Sequence, residues 1–160
     1  MGSVRYDRVL GAVIRLTTAG HRLLDRVSKG RLGVRFPGGA QVVWITTMGR
    51  RSGQWRRAPL LATPLERDHD HPAQIRSWGI AGSNAGQERV PGWVFNIRDN
   101  QRGWIEVKRS RHQCTFEELT GPAADEVYEK LAQDWSFYRN YRKRAQRHIP
   151  VFKVNSVLQE

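Results

Sequence analysis

Cysteine is almost absent from this sequence, Cys114 being the only one in 160 residues. No internal disulfide can form, and thiolate zinc sites and iron–sulfur clusters are excluded because they need several sulfurs at short spacing. Long apolar runs are lacking as well. Arginines interrupt every hydrophobic stretch, and none approaches the ~18 residues needed to cross a hydrocarbon core. The start of the chain shows no apolar segment followed by a small-residue cleavage site. A reducing, cytoplasmic setting is therefore expected. Acidic residues are the third shortage: 15 Asp and Glu stand against 27 Lys and Arg, a net charge of +12. A surface so charged concentrates anions around it, which leaves three partner classes: nucleic acid, an acidic membrane face, or a small cofactor bearing phosphate and carboxylates.

What is present suits one compact domain, since domains run to about 100–200 residues. Tyr6, Val9, Leu10, Val13, Leu16, Leu23, Leu24 and Val27 recur at helical spacing, with Arg8, Arg15, Arg22 and Lys29 seven apart between them. The pattern predicts a basic amphipathic helix over 4–29, capping a core or touching an anionic membrane. Gly33, Pro37, Gly38 and Gly39 break the period and form a connector, so residues 1–40 read as helix and linker and 41–160 as the main domain.

From Gln41 the texture is β. Strands are expected from Gln41, over 54–62 with Pro59 at an edge or bulge, over 74–81, over 104–107, over 114–119 and over 151–154. A polar hairpin loop is expected over 66–72, and a short helix over 91–100. One long helix should start at Pro122, with Asp125 and Glu126 in its acidic opening turn, and end before Pro150. Val127, Leu131, Trp135, Tyr138 and Tyr141 share a face of that helix. Strands grouped between helices argue for an α+β domain whose antiparallel sheet curls into a small barrel.

Gly49-Arg50-Arg51-Ser52-Gly53 joins two of these strands. Its glycines permit a tight turn, its backbone N–H groups are exposed, and two guanidiniums and a hydroxyl are added, a combination suited to phosphate. Arg56 and Arg57 extend the cationic patch. The run lacks the lysine and strand-to-helix setting of a Walker loop and the glycine spacing of a dinucleotide fingerprint. His69 and His71, flanked by Asp68 and Asp70, sit in one loop and do not supply a closed metal shell. No metal is expected, and no nucleophile elbow supports a hydrolase.

The run Thr46-Thr47-Met48-Gly49-Arg50-Arg51-Ser52-Gly53-Gln54, followed by Arg57, Pro59 and Leu60, resembles the signature of the deazaflavin-dependent nitroreductase family. In the same order come Ser83-Asn84-Ala85-Gly86, then Pro91, Trp93, Asn96, Arg98 and Asn100, and then Tyr138, Tyr141, Arg147, Ile149 and Pro150. The likeness runs from about Gln41 to the end of the chain. It implies an antiparallel split β-barrel, like that of FMN-binding proteins, with a C-terminal helix packed on it. It also implies coenzyme F420 as cofactor in preference to FMN. That coenzyme is a deazaflavin whose ribityl arm carries phosphate, a lactyl group and an acidic oligoglutamate tail.

On this resemblance Arg50, Arg51, Ser52 and Gly53 hold the phosphate, Arg56, Arg57 and Arg98 meet tail carboxylates, and Ser83, Asn84 and Ala85 lie beside the ring. Pro59, Trp93 and Asn96 match positions near the cofactor. Tyr138 and Tyr141, with Ser83, line the acceptor pocket, where a phenol can bond an acceptor oxygen or supply a proton. The implied activity is hydride transfer from reduced coenzyme F420 to a quinone, enone or nitroaromatic. The alternative is a non-catalytic carrier or sensor of deazaflavin, flavin or tetrapyrrole. Nucleic-acid binding ranks last, because no reading motif accompanies the charge. Arg51 replaces a common lysine, and Val94, Gln101 and Arg144 depart from the family near the acceptor side. The acceptor is therefore less determined than the cofactor, and the oligomeric state, monomer or homodimer, is open.

Overall fold

The computed structural model describes residues 39–157 apart from Pro72. The basic helix expected over 4–29 and most of its linker lie outside the described residues. Six antiparallel strands close into a barrel in the order β1-β2-β3-β6-β5-β4. They are β1 (Gln41–Met48), β2 (Trp55–Arg67), β3 (Ile75–Ala81), β4 (Arg102–Val107), β5 (Ser110–Leu119) and β6 (Val151–Ser156). The expected barrel forms; β2, β4, β5 and β6 run longer than the apolar runs suggested, and β3 starts one residue later. Once a sheet closes, polar residues at the rims still pair, as Arg67 does with Ile75 and Ser110 with Val107.

Alternation decides which side chains enter the barrel. Val43, Ile45, Ile80, Ile105, Phe116 and Phe152 point inward and are fully or almost fully buried. Each contributes about 1.5–3 kcal/mol by leaving water. Pro59 pairs with Trp44 in a stretch where β2 meets only β1, since the β2–β3 register begins at Thr63. The local edge expected there is present, and the bulge lies farther on, between Pro64 and Arg67.

Helix α1 (Gly92–Asp99) stoppers the mouth at which β1 ends, sending Trp93, Val94 and Ile97 into the barrel core. The single helix expected from Pro122 to Pro150 is instead two, α2 (Gly121–Asp134) and α3 (Phe137–Ala145). Trp135 is extended between them, at φ −140° and ψ 95°. The break has a clear consequence. Ten residues of straight helix would hold Tyr128 and Tyr138 about 15 Å apart, whereas their rings meet edge to face at 5.6 Å and the Tyr128 hydroxyl donates to the Tyr138 carbonyl at 2.8 Å.

Asp125 and Glu126 lie beyond the first turn of α2, because that helix begins at Gly121. The basic α3 folds back beside them, and Arg142 donates to Asp125 at 2.8 Å. Attraction expected between side chains and the dipole of one helix thus acts between two helices. Both pack on the outside of the barrel, where Val127, Tyr128, Leu131, Tyr138 and Ala145 form a second buried cluster with Ala81 and Val151.

Candidate active site

Helix α1 joins two halves of the predicted site. On one side, the Asn96 carbonyl accepts the Arg50 amide N–H at 3.2 Å, and the Asn96 amide donates to Thr47 Oγ1 at 3.2 Å. Thr47 is fully buried at an inward position of β1. The Arg50 guanidinium lies 5.0 Å from the centre of the Phe95 ring. On its other side α1 reaches the Ser83 turn, since a Cβ on Gly82 would stand 2.8 Å from Val94 Cγ2.

The 49–53 corner folds on its own backbone. The amides of Ser52 and Gly53 donate to the Gly49 carbonyl, Gly49 donates to the Gln54 carbonyl, and Ser52 Oγ accepts the Gln54 amide at 3.3 Å. Gly53 has φ +63°, and a Cβ built there meets nothing within 4 Å. The corner opens to solvent. Arg50, Arg51 and Arg56 are exposed, and among the described residues none of the three forms a salt bridge. Three uncompensated guanidiniums about one open turn fit an acidic, phosphate-bearing arm.

The other predicted cations are engaged. Arg57 pairs with Glu106 at 2.8 Å and stacks over Trp44 at 4.1 Å. Arg98 forms a two-pronged pair with Glu118 at 2.8 and 2.6 Å, which raises its own pKa and lowers that of the carboxylate. Trp93 is buried against Phe152 at 5.6 Å, a packing role within the stopper. Pro59 is half-buried in β2.

The Ser83 turn has an unusual backbone. Asn84, Ala85 and Gly86 all have positive φ, at 47°, 54° and 77°. The left-handed region costs an ordinary residue roughly 1–2 kcal/mol, so something must hold the loop. Asn84 does part of this, donating to Gln87 Oε1 and to the Arg89 carbonyl. Arg147 does more. Its Nε donates to the Gln87 carbonyl at 3.1 Å, and its Nη2 reaches the carbonyls of Gly82 at 3.0 Å, Ser83 at 3.3 Å and Arg89 at 3.4 Å. Burial lowers the Arg147 pKa. Sequence reasoning placed Arg147 in a motif and gave it no role. The available signal was an arginine directly after a helix stop, at Gln146, which is left-handed at φ 48°.

Tyr138 and Tyr141 are both beside this turn. Tyr138 is buried, its hydroxyl in hydrogen-bonding contact with the Ser83 side chain, and burial raises its pKa far above the ordinary phenol value. Tyr141 is half-buried, its ring 5.1 Å from that of Tyr138, and its backbone touches the position a Gly86 side chain would take. Gly86 is thus required by close approach as well as by its φ. The structure brings Ser83, Asn84, Ala85, Tyr138 and Tyr141 together.

A hollow of about 560 Å³ lies at the opposite mouth of the barrel, over Trp78 and Ile105. None of the predicted site residues lines it. Among the described residues, no three His, Cys, Asp or Glu side chains stand close enough to hold a metal ion. His69 and His71 lie exposed in their loop, where the Asp68 carboxylate accepts the amides of Asp70 and His71 and pairs with Arg76 at 2.6 Å. No helix among the described residues is long and apolar enough to cross a membrane.

A solved F420-H2 dependent reductase, FDR-A, has the same fold. Its TM-score is 0.58 at 24% identity, over 71% of this chain and 93% of that one. A solved domain-swapped dimer aligns over 90% of this chain and 99% of its own, with TM-score 0.59 and 21% identity. The architecture is a split barrel whose cationic corner is joined through α1 to a small-residue turn.

The chain belongs to the F420H2-dependent quinone reductase family, whose model matches residues 15–156. An F420H2-dependent quinone reductase of Mycobacterium tuberculosis (strain H37Rv) is 30% identical over 136 residues, 82% of this chain and 84% of that protein. A protein named alike from the strain CDC 1551 gives the same figures. This chain is accordingly an F420H2-dependent oxidoreductase, with coenzyme F420 as its cofactor. The resemblance read from the motifs is borne out, with quinone reductase as the family's description.

Proposed function

We propose that this chain reduces quinones, holding the acidic arm of coenzyme F420 at the 49–53 corner and its ring against the Ser83 turn. The observation that carries this reading is the cluster of Arg50, Arg51 and Arg56, exposed and without carboxylate partners among the described residues. When bound, the reduced coenzyme supplies a hydride, and the acceptor needs a proton as well to complete reduction.

The protein's own contribution is placement. Ser52 Oγ and the corner arginines anchor the arm, with Arg57 and Arg98 at the outer end able to exchange Glu106 and Glu118 for tail carboxylates. Asn96 fixes the corner to α1, Pro59 and Trp93 support it, and Gly53 leaves the approach open. Ser83, Asn84 and Ala85 form the floor beneath the ring. Tyr141 faces the acceptor and hydrogen-bonds its oxygen, while the deeply buried Tyr138 keeps its proton and steadies Ser83.

The protein is read as cytoplasmic, with the basic 4–29 segment able to bring it to an anionic membrane where apolar quinones dissolve. Enones and nitroaromatics are further acceptors of the same two-electron chemistry. Co-sedimentation with anionic and with neutral vesicles tests the membrane reading, which fails if neither is bound.

Fluorescence titration with coenzyme F420 and with FMN, followed by single-turnover oxidation with a quinone panel, tests the function. Tight F420 binding, weaker FMN binding and fast quinone reduction are expected. Replacing Arg50 and Arg51 by alanine should weaken F420 binding about tenfold or more, the equivalent of one or two lost charge-assisted hydrogen bonds, and affect FMN less. Tight binding with no turnover would make the chain a carrier instead.

A further inference from the structure

We propose that Arg147 is the positioning residue of the cofactor floor, clamping the 83–89 loop into the left-handed shape that the deazaflavin ring requires. The proposal rests on the functional reading above, in which that loop lies beneath the ring.

A single guanidinium here donates to the carbonyls of Gly82, Ser83, Gln87, Arg89 and His148. Carbonyl oxygens that converge on one point repel one another, and a planar cation with five N–H donors is the side chain able to hold them together. Apart from the two bonds donated by the Asn84 side chain, the loop has few restraints of its own. Its own amide bonds run from Gly86 to Ser83 and from Gln87 to Asn84, and Asn84 and Ala85 both sit at φ values that disfavour a side chain.

The clamp is also rooted in the barrel. Gly82 donates to the Pro150 carbonyl at 2.8 Å, and Pro150 lies three residues beyond Arg147 at the entry to β6. Both ends of the device, loop and arginine, are thus tied to neighbouring strands β3 and β6, which pair Ala81 with Val151. Arg147 is half-buried behind the loop, and so acts on the ring through Ser83 to Ala85.

If the loop must hold one shape to bind, affinity falls in proportion to the fraction of molecules that hold it. Lysine keeps the charge and loses the fork. Arg147→Lys is therefore expected to raise the dissociation constant for F420 about tenfold, as it would if one molecule in ten remained competent. Hydrogen exchange should quicken at the 83–89 amides and stay unchanged in the barrel strands. Adding Ala85→Gly to Arg147→Lys relieves the left-handed penalty and should restore part of the lost affinity, a rescue that general destabilisation would not produce.

Faster loop exchange with wild-type F420 affinity would overturn the clamp's importance for binding. Weakened affinity with unchanged loop exchange would overturn the indirect route and make Arg147 a direct contact. Wild-type protein that does not bind F420 would instead overturn the functional reading beneath the proposal, while the exchange comparison still reports whether Arg147 holds the loop.

Discussion

Asn96 and Arg50 meet through a backbone amide, the Asn96 side-chain carbonyl accepting the Arg50 N–H while its amide group donates to the buried Thr47 hydroxyl. One side chain thereby fixes the cationic corner to α1 and satisfies a polar group inside the barrel. Two substitutions separate these duties. Asn96→Ala leaves Thr47 unsatisfied, and such a loss costs about 1–3 kcal/mol; chemical denaturation should register it. Asn96→Asp still accepts from the Arg50 amide, and the Thr47 hydroxyl can turn to donate. Its fold should be near wild type, yet a negative charge beside the corner should weaken F420 binding. Denaturation midpoints and F420 titrations of both variants check the split.

Tyr138 and Tyr141 were grouped by spacing, and their surroundings now divide them. Tyr141→Phe removes a hydroxyl at the half-buried position and should slow quinone reduction about a hundredfold, the lower end of what a positioned proton donor supplies. Its F420 affinity should be retained. Tyr138→Phe removes the phenol that bonds Ser83 and should act chiefly on cofactor affinity. Pre-steady-state hydride transfer and F420 titration, run on both variants, distinguish the two roles. A Tyr141→Phe enzyme with wild-type turnover would remove that residue from the mechanism.

Much of the fold could be read in advance because it is encoded locally. The Val42–Ile45 apolar run, the glycine-bounded corner and the Pro91 boundary of α1 each depend on a few adjacent residues. The break at Trp135 was not legible, because Val127 through Tyr141 keep a helical period across it. What ends α2 there is tertiary: Asp134 accepts from the Thr63 hydroxyl at 2.8 Å, and Tyr128 takes the Tyr138 carbonyl. The engaged state of Arg57 and Arg98 was equally hidden. Their partners Glu106 and Glu118 lie 49 and 20 residues away in sequence, and pairing emerges only when the barrel closes. The corner was legible in residue type, and the Arg147 clamp only as part of a motif.

Burial makes the protein's stability fall in alkali. Cys114 and Tyr128 are pushed up to about 12, and Tyr138 is raised further, desolvation being the main cause in each. In the unfolded chain the thiol ionises near 8.5 and the phenols near 10. Between those values and the folded ones, the unfolded state binds fewer protons, so each rise in pH favours it. The stability contribution is complete below about pH 8.5 and is lost progressively above it. Urea midpoints should therefore decline from about pH 8.5 upward and more steeply past about pH 10. Cys114→Ala should remove the first part of the slope, and an unchanged profile would show that the thiol is solvated.

Gly79 and Val127 define how closely α2 rests on the barrel. A Cβ at Gly79 would collide with Val127 Cγ1 and crowd Thr63 and Leu65. Gly79→Ala should destabilise the protein by about 1–3 kcal/mol, the usual cost of overpacking. Val127→Ala alone should also destabilise, since it deletes two buried methyl groups. In the double variant the new methyl occupies space the valine has vacated, so its loss should be smaller than the sum of the single losses. Contacting residues commonly couple by about 0.5–3 kcal/mol. Because α2 carries Tyr128, which holds the carbonyl of Tyr138, Gly79→Ala should also shift the near-ultraviolet tyrosine signal, with recovery in the double variant. Strict additivity would mean that α2 slides to accommodate the methyl, and that Gly79 does not set the position of Tyr138.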